Sequence, residues 1–109
     1  MKKLLVFAAV LAFAGSMTLR AADAKEVWDK DCAKCHGADG KGKTKMGEKV
    51  GVKDYTDAKV QAGFTDAQAA KSIKEGVKQD GKVTMKAFGD KLSDDDVKAL
   101  IVYVRALKK

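Results

Sequence analysis

The chain has 109 residues, a formal net charge of +7 at pH 7, 34% charged residues, two cysteines, one histidine and no proline. That length holds one domain, which excludes a multidomain enzyme. The composition also excludes a transmembrane bundle, a collagen-like chain and a disulfide-rich toxin, for which two cysteines are too few.

At the N-terminus, Met1-Lys2-Lys3 precedes eleven uninterrupted apolar residues, Leu4 to Ala14, and a polar stretch then ends in Ala22-Asp23-Ala24. A basic start, a short apolar run and an Ala-x-Ala ending have the form of a secretory signal peptide. The expected cut follows Ala24, because a cut after Ala22 would put bulky Arg20 two residues before the last one removed. A retained anchor is the alternative, but only the sixteen residues Leu4–Leu19 lack charge, against the ~20 needed to span a bilayer. The expectation is a periplasmic protein, with residues 1–24 as leader, residues 25–109 as the working domain and no stable membrane insertion after cleavage.

Removing residues 1–24 leaves 85 residues; the loss of Lys2, Lys3 and Arg20 together with Asp23 leaves a net charge of +5. Of the 33 hydrophobic-class residues that remain, ten are alanine and two cysteine, so 21 larger apolar side chains must form the core. Domains below ~70–80 residues usually need a staple such as a metal or a disulfide. A large bound group is expected to help this chain fold.

A first helix is predicted from about Lys25 to His36, with Trp28, Cys32 and Cys35/His36 on one stripe. It carries Cys32-Ala33-Lys34-Cys35-His36, which contains both cysteines and the single histidine. Cys-x-x-Cys-His is the attachment pattern of c-type haem. On a helix the three side chains at i, i+3 and i+4 share a face, so two thiols can meet the two vinyl groups of one porphyrin while the imidazole reaches its iron. A structural zinc site wants four Cys or His ligands, and here there are three on one turn. A redox dithiol wants a βαβ setting, which is lacking. A plain disulfide suits an oxidising compartment but leaves His36 unexplained.

Gly37 is placed to cap this helix. The run Gly37, Gly40, Gly42, Gly47 and Gly51 suits a loop wrapping closely around a flat cofactor. Asp54 to Gln61 reads as a short helix, with Tyr55 either donating to a haem propionate or simply half-buried at the surface. Thr65-Asp66-Ala67-Gln68 is a capping box, opening a helix with Ala70, Ile73 and Val77 on one face and Gly76 near its end. The following segment, with Val83-Thr84-Met85-Lys86-Ala87-Phe88-Gly89, reads as a loop. Ser93 caps the last helix, and Asp94, Asp95 and Asp96 meet the positive end of its dipole rather than forming a metal site. Val97, Leu100, Ile101, Val104 and Leu107 form its apolar stripe.

A haem held by His36 needs a sixth ligand, and Met/His ligation marks electron-transfer cytochromes. Met85 lies far from His36 in sequence, in a loop able to reach the opposite haem face. Met46 lies ten residues after His36, on the side where the chain has just left it. Met85 is the expected ligand.

The chain over residues 25–109 resembles a small single-haem class I cytochrome c of the bacterial periplasm. The resemblance rests on Cys32-Ala33-Lys34-Cys35-His36-Gly37 with Asp39-Gly40, and on Met85-Lys86-Ala87-Phe88-Gly89 before a terminal amphipathic helix. It implies an all-α, cytochrome c-like fold of three to five helices wrapped around one covalently bound haem c. It also implies thioethers at Cys32 and Cys35, proximal ligation by His36 and distal ligation by Met85. Trp28, Leu100 and Tyr103 match an aromatic, a leucine and a tyrosine that pack the two terminal helices in that family. One departure is clear: the family usually has a proline after the haem histidine and often one beside the methionine, and this chain has neither. Lys86 stands in the second place.

Lys34, Lys41, Lys43, Lys45, Lys49, Lys53, Lys82 and Lys86 come from segments expected around the haem edge. They would either steer acidic docking surfaces of redox partner proteins or form an ordinary solvated surface. Nucleic acid is not an expected partner, since no basic helix interleaved with aromatics is present. The expected function is a periplasmic one-electron shuttle and not an enzyme. The alternatives are a five-coordinate haem protein binding a small gas or peroxide, and a haem-free dithiol redox protein.

Overall fold

A computed structural model describes residues 21–109; residues 1–20 of the leader expected over residues 1–24 lie outside the described residues. The first helical run is continuous but not uniform. α1 (Ala21–Val27) passes into a π-helical turn (Trp28–Cys32) and then into α2 (Ala33–His36). The Ala33 N–H bonds to the Trp28 carbonyl, five residues back, which inserts one residue into the helix at the turn that ends on the first cysteine. Such single π turns often accompany functional sites. The uniform helix expected over Lys25–His36 is corrected to that extent. Gly37 ends the run with φ 81° and ψ 152°, a positive φ that favours glycine but not the left-handed helical cap expected.

Two further helices lie in the following segment. α3 (Lys45–Val50) is capped by the Thr44 side chain and closed by Gly51 in the left-handed conformation. It stands where a loop was expected, and Thr44 is the N-cap signal that the glycines around it obscured. α4 (Ala58–Ala62) starts from Asp57 as N-cap, later and shorter than the Asp54–Gln61 expectation. α5 (Asp66–Glu75) has the expected reciprocal capping box between Thr65 and Gln68.

The all-α expectation misses one element. β1 (Val77–Gln79) pairs antiparallel with β2 (Lys82–Met85), with Val77 opposite Met85 and a bulge between Val77 and Lys78. Asp80 and Gly81 connect the strands, both at positive φ, the conformation a two-residue hairpin turn requires and that Asp-Gly supplies. Val77, read as the end of a helical face, is therefore the first residue of a strand, because Gly76 has already ended α5.

α6 (Asp94–Ala106) begins at Ser93, the N-cap that the sequence indicates, and Asp96 completes a capping box there. Its stripe Val97, Leu100, Ile101 and Val104 is buried and, with Ala24 and Trp28, makes up the buried apolar core among the described residues. Trp28 is 3% exposed, Leu100 is 2% exposed, and the Trp28 and Tyr103 rings stand 5.5 Å apart. Each fully buried large side chain contributes ~1.5–3 kcal/mol, so the contact between the first and last helices is the main apolar lock. Ala24, the residue at which the sequence reading ends the leader, is itself fully buried in α1, which packs on α6. No helix among the described residues is long and apolar enough to cross a membrane.

A polar clasp joins α4 and α5 to the C-terminal end of α6. Gln61, 5% exposed, donates through Nε2 to the carbonyls of Tyr55 at 2.6 Å and Val104 at 2.8 Å. Its Oε1 accepts from Arg105 Nη1 at 3.0 Å. Arg105 also donates to the Gln61 carbonyl, to the Phe64 carbonyl and to Asp66, and its guanidinium lies 4.2 Å from the centre of the Phe64 ring. A buried amide must find partners or cost ~1–3 kcal/mol; here every polar group of Gln61 is used. The clasp fixes Tyr55 and Phe64, which form part of the site.

Candidate cofactor site

Two cavities of about 390 and 560 Å³ share Cys32, His36, Tyr55, Met85 and Phe88 in their walls. The first is walled by apolar side chains of the core, among them Trp28, Phe64, Ile73, Leu100 and Ile101. The second is bounded by Cys35, Met46, Val52 and the hairpin residues Val83 and Thr84. The two cavities adjoin at these shared residues, with the first helical run on one side and the hairpin and following loop on the other.

On the first side, His36 stands between two aromatic rings, Trp28 and Tyr55, each with its centre 5.3 Å away. Its Nδ1 is buried with no hydrogen-bond partner among the described residues. No carbonyl therefore orients the imidazole through that nitrogen, and ring packing does so instead. Burial lowers the His36 pKa, which keeps the imidazole neutral, the form that binds a metal. Trp28 Nε1–H donates to the Gly37 carbonyl at 3.0 Å, tying the aromatic to the residue after His36.

Cys32 and Cys35 are both free thiols. Burial, with the nearby Asp31 charge adding to it, pushes the Cys32 thiol up to about 11. A redox dithiol needs a thiol with a depressed pKa, so this environment disfavours the dithiol reading. Thr44 Oγ1 donates to the Cys35 carbonyl at 2.7 Å and accepts from the Gly47 N–H at 2.8 Å, so the cap of α3 also grips the motif. A Cβ at Gly47 would lie 2.2 Å from the Cys35 carbonyl oxygen. Only glycine lets α3 approach so closely.

On the second side, Met85 lines both cavities, whereas Met46 lines only the second and is 38% exposed. Three of the expected rim lysines, Lys34, Lys53 and Lys86, line the second cavity. Asp94, Asp95 and Asp96 form no metal cluster, and no group of three Cys, His, Asp or Glu side chains among the described residues does. Of the two readings of Tyr55 the sequence favours the half-buried surface residue, and it does not single out Phe64, Thr44 or Gly47 as site residues; Tyr55 is half-buried but lines both cavities. Tyr55 and Phe64 sit 5.7 Å apart edge to face, brought together by the Gln61–Arg105 clasp. Nothing in the local sequence signals that contact, since the clasp reaches from Gln61 to Val104 and Arg105, more than forty residues away.

These residues fit a covalently bound haem. They offer two adjoining, largely apolar cavities with two free thiols and a half-buried imidazole in their walls and a thioether lining both.

Comparisons with known proteins agree. The family described as "Cytochrome C oxidase, cbb3-type, subunit III" matches residues 19–104. Cytochrome c-553 of Helicobacter pylori is 35% identical over 108 residues, covering 99% of this chain and all of that protein. The cbb3-type cytochrome c oxidase subunit FixP of Azorhizobium caulinodans is 38% identical over 82 residues, 75% of this chain but only 25% of that protein. Among solved structures, the KustC0563 c-type cytochrome superimposes with a TM-score of 0.70 at 35% identity, covering 79% of this chain and 98% of that one. With its motif, its cytochrome c-like fold and its site in agreement, the chain belongs to the small class I c-type cytochromes and is an electron-transfer protein carrying covalent haem c.

Proposed function

We propose that this chain is an exported one-electron shuttle whose haem is attached through Cys32 and Cys35 and ligated by His36 and Met85. The observation that carries the axial assignment is the place of Met85 on both chambers shared with His36, against the exposed, one-sided Met46. Cys32 and Cys35 would hold the haem as thioethers, each thiol supplying the sulfur of a new carbon–sulfur bond and its hydrogen to the neighbouring carbon of the former vinyl group. The bound haem supplies an iron that gains or loses one electron. The protein's own work is to keep water off that iron with Phe64, Ile73, Phe88 and Leu100, to hold the His36 ring between Trp28 and Tyr55, and to present a thioether that favours the reduced state and raises the potential.

The lysines at the second cavity give the open edge a positive rim, suited to acidic surfaces on redox partners. The likeness to an oxidase subunit makes an oxidase cytochrome a reasonable partner class. Export follows from the leader reading, but burial of Ala24 favours a cut upstream of Asp23. A cut after Ala24 would remove a core residue and leave a free amino group and Lys25 at the positive end of the helix dipole, where Asp23 is the favourable charge. Intact mass should show one haem on a chain that still contains Asp23 and Ala24. A chain starting at Lys25 would return the cut to Ala24.

The axial assignment is tested by small-ligand binding. The reduced protein should resist carbon monoxide at neutral pH. Met85→Ala should admit it and lower the reduction potential, and Met46→Ala should do neither. Rapid, complete binding by the unmodified protein would replace the shuttle with a gas- or peroxide-handling site.

A further inference from the structure

With no proline in the chain, nothing fixes φ in the segment around Met85, yet that segment is held closely. Phe88 N–H donates to the Ile73 carbonyl at 2.8 Å, and Gly89 N–H donates to the Lys74 carbonyl at 3.1 Å. Both acceptors lie in the last turn of α5, whose carbonyls have no partner within the helix. The Met85 loop thus caps α5, and α5 in return fixes the loop. The fit has almost no slack. Gly76 sits at φ 76°, ψ −179°, a region essentially restricted to glycine. A Cβ there would lie 2.6 Å from the Met85 carbonyl oxygen and 3.0 Å from the Ala87 nitrogen. A Cβ at Gly89 would lie 2.9 Å from the Lys74 carbonyl oxygen. Real Cβ atoms do not approach backbone oxygens so closely, so a side chain at either position must push the loop away from α5.

Resting on the assignment of Met85 as distal ligand, we infer that Gly76 and Gly89 are its positioning residues: their missing side chains let backbone contacts with α5 hold the thioether in place, the stiffening that a proline would otherwise supply. Val77, paired with Met85 across the hairpin, extends the same support from the other side. The hold is made of backbone, so it is indifferent to most side-chain changes in the loop and sensitive to these two.

The haem-loaded protein tests this with three glycine variants and one control at the ligand. Gly76→Ala and Gly89→Ala should each weaken the red charge-transfer band of methionine-ligated ferric haem and lower the potential. Each should also speed carbon monoxide binding to the reduced form by about tenfold or more, the equivalent of ~1.4 kcal/mol. Gly81→Ala introduces a side chain at the same φ of 76° but meets nothing within 4 Å. It should lower thermal stability while leaving the band, the potential and the carbon monoxide rate unchanged. If Gly76→Ala yields no loaded protein, Gly89→Ala decides, since its backbone is not at positive φ. A loaded Gly89→Ala with unchanged band and rate overturns the inference, and so does a Gly81→Ala that opens the iron as readily. Should Met85→Ala itself leave the band and rate unchanged, the ligand assignment fails, a result distinct from failure of the positioning role.

Discussion

The two walls of the haem site are built by different means. The wall carrying Cys32, Cys35 and His36 is locked largely by side chains: Trp28 donates to the Gly37 carbonyl, Thr44 donates to the Cys35 carbonyl, and the Trp28 and Tyr55 rings pack on the imidazole. The close approach of Gly47 and a Gly42 N–H bond to the His36 carbonyl add to them. The wall carrying Met85 is locked by backbone: a hairpin, two N–H groups on the end of α5, and two glycines that allow the approach. The contrast suits their tasks. The first wall anchors a permanent covalent attachment. On the proposed assignment of Met85 as distal ligand, the second holds one soft ligand at a fixed reach with few side chains available to do it.

The largest expected effect removes the staple common to both walls. A Cys32→Ala, Cys35→Ala double variant made without haem attachment should lose cooperative unfolding, because few apolar side chains are buried outside the space the cofactor fills. Calorimetry of that chain decides it: a sharp transition close to that of the loaded protein would show that the two walls hold each other without the cofactor.

Next comes the side-chain lock of the first wall. Trp28→Ala in the loaded protein should cost ~3–5 kcal/mol, a large share of the ~5–15 kcal/mol typical of a domain, measured by denaturant titration. It removes the ring packed on His36 and Tyr103 together with the donor to Gly37. Thr44→Val should cost less, about 1–2 kcal/mol, through one hydrogen bond and one helix cap. If both variants left stability unchanged, the first wall would not depend on side chains, and the contrast would be lost.

The same contrast explains what was legible in the sequence. Patterns of side-chain identity are legible: Cys32, Cys35 and His36 come to one cavity as their spacing implies, and the stripe Val97, Leu100, Ile101 and Val104 is buried. The capping box at Thr65 and the N-cap at Ser93 are equally readable, because each is a local exchange between neighbours, although the return bond from Asp96 that completes a box at Ser93 is seen only in the structure. The hairpin was missed because its strands are three and four residues long and largely exposed, so they carry no alternating apolar pattern. α3 was missed because glycines at 47 and 51 read as loop, although Gly47 is there for contact with Cys35 and Gly51 for the helix end. Tyr55 reads as a half-buried surface residue because its place beside His36 and Phe64 depends on contacts distant in sequence, among them the Gln61–Arg105 clasp that holds its carbonyl and the Phe64 carbonyl. Backbone contacts such as Phe88 to Ile73 use groups every residue possesses, and single-sequence reading has no handle on them.

The smallest expected effect probes side chains at the second wall. Lys74 and Asp94 form an ion pair joining the last turn of α5 to the start of α6, beside the backbone bonds that hold the Met85 loop. The hydrogen bond and charge of Lys74, with Lys98 adding a little, hold the Asp94 carboxyl below its ordinary value. A carboxyl depressed in the folded state stabilises that state above its unfolded pKa, and the contribution disappears as pH falls through the folded value. Asp94 is fully exposed to solvent and the pair is screened, so Asp94→Asn should lower the thermal midpoint only slightly at neutral pH. The difference from the unmodified protein should shrink as the pH drops below the ordinary carboxyl range and vanish once Asp94 is protonated in the folded state. The carbon monoxide rate should not change at neutral pH, because the loop is held by the Ile73 and Lys74 carbonyls rather than by this side-chain pair. A loss of stability as large as that of Trp28→Ala, or an opened iron, would mean that side chains hold the second wall as well.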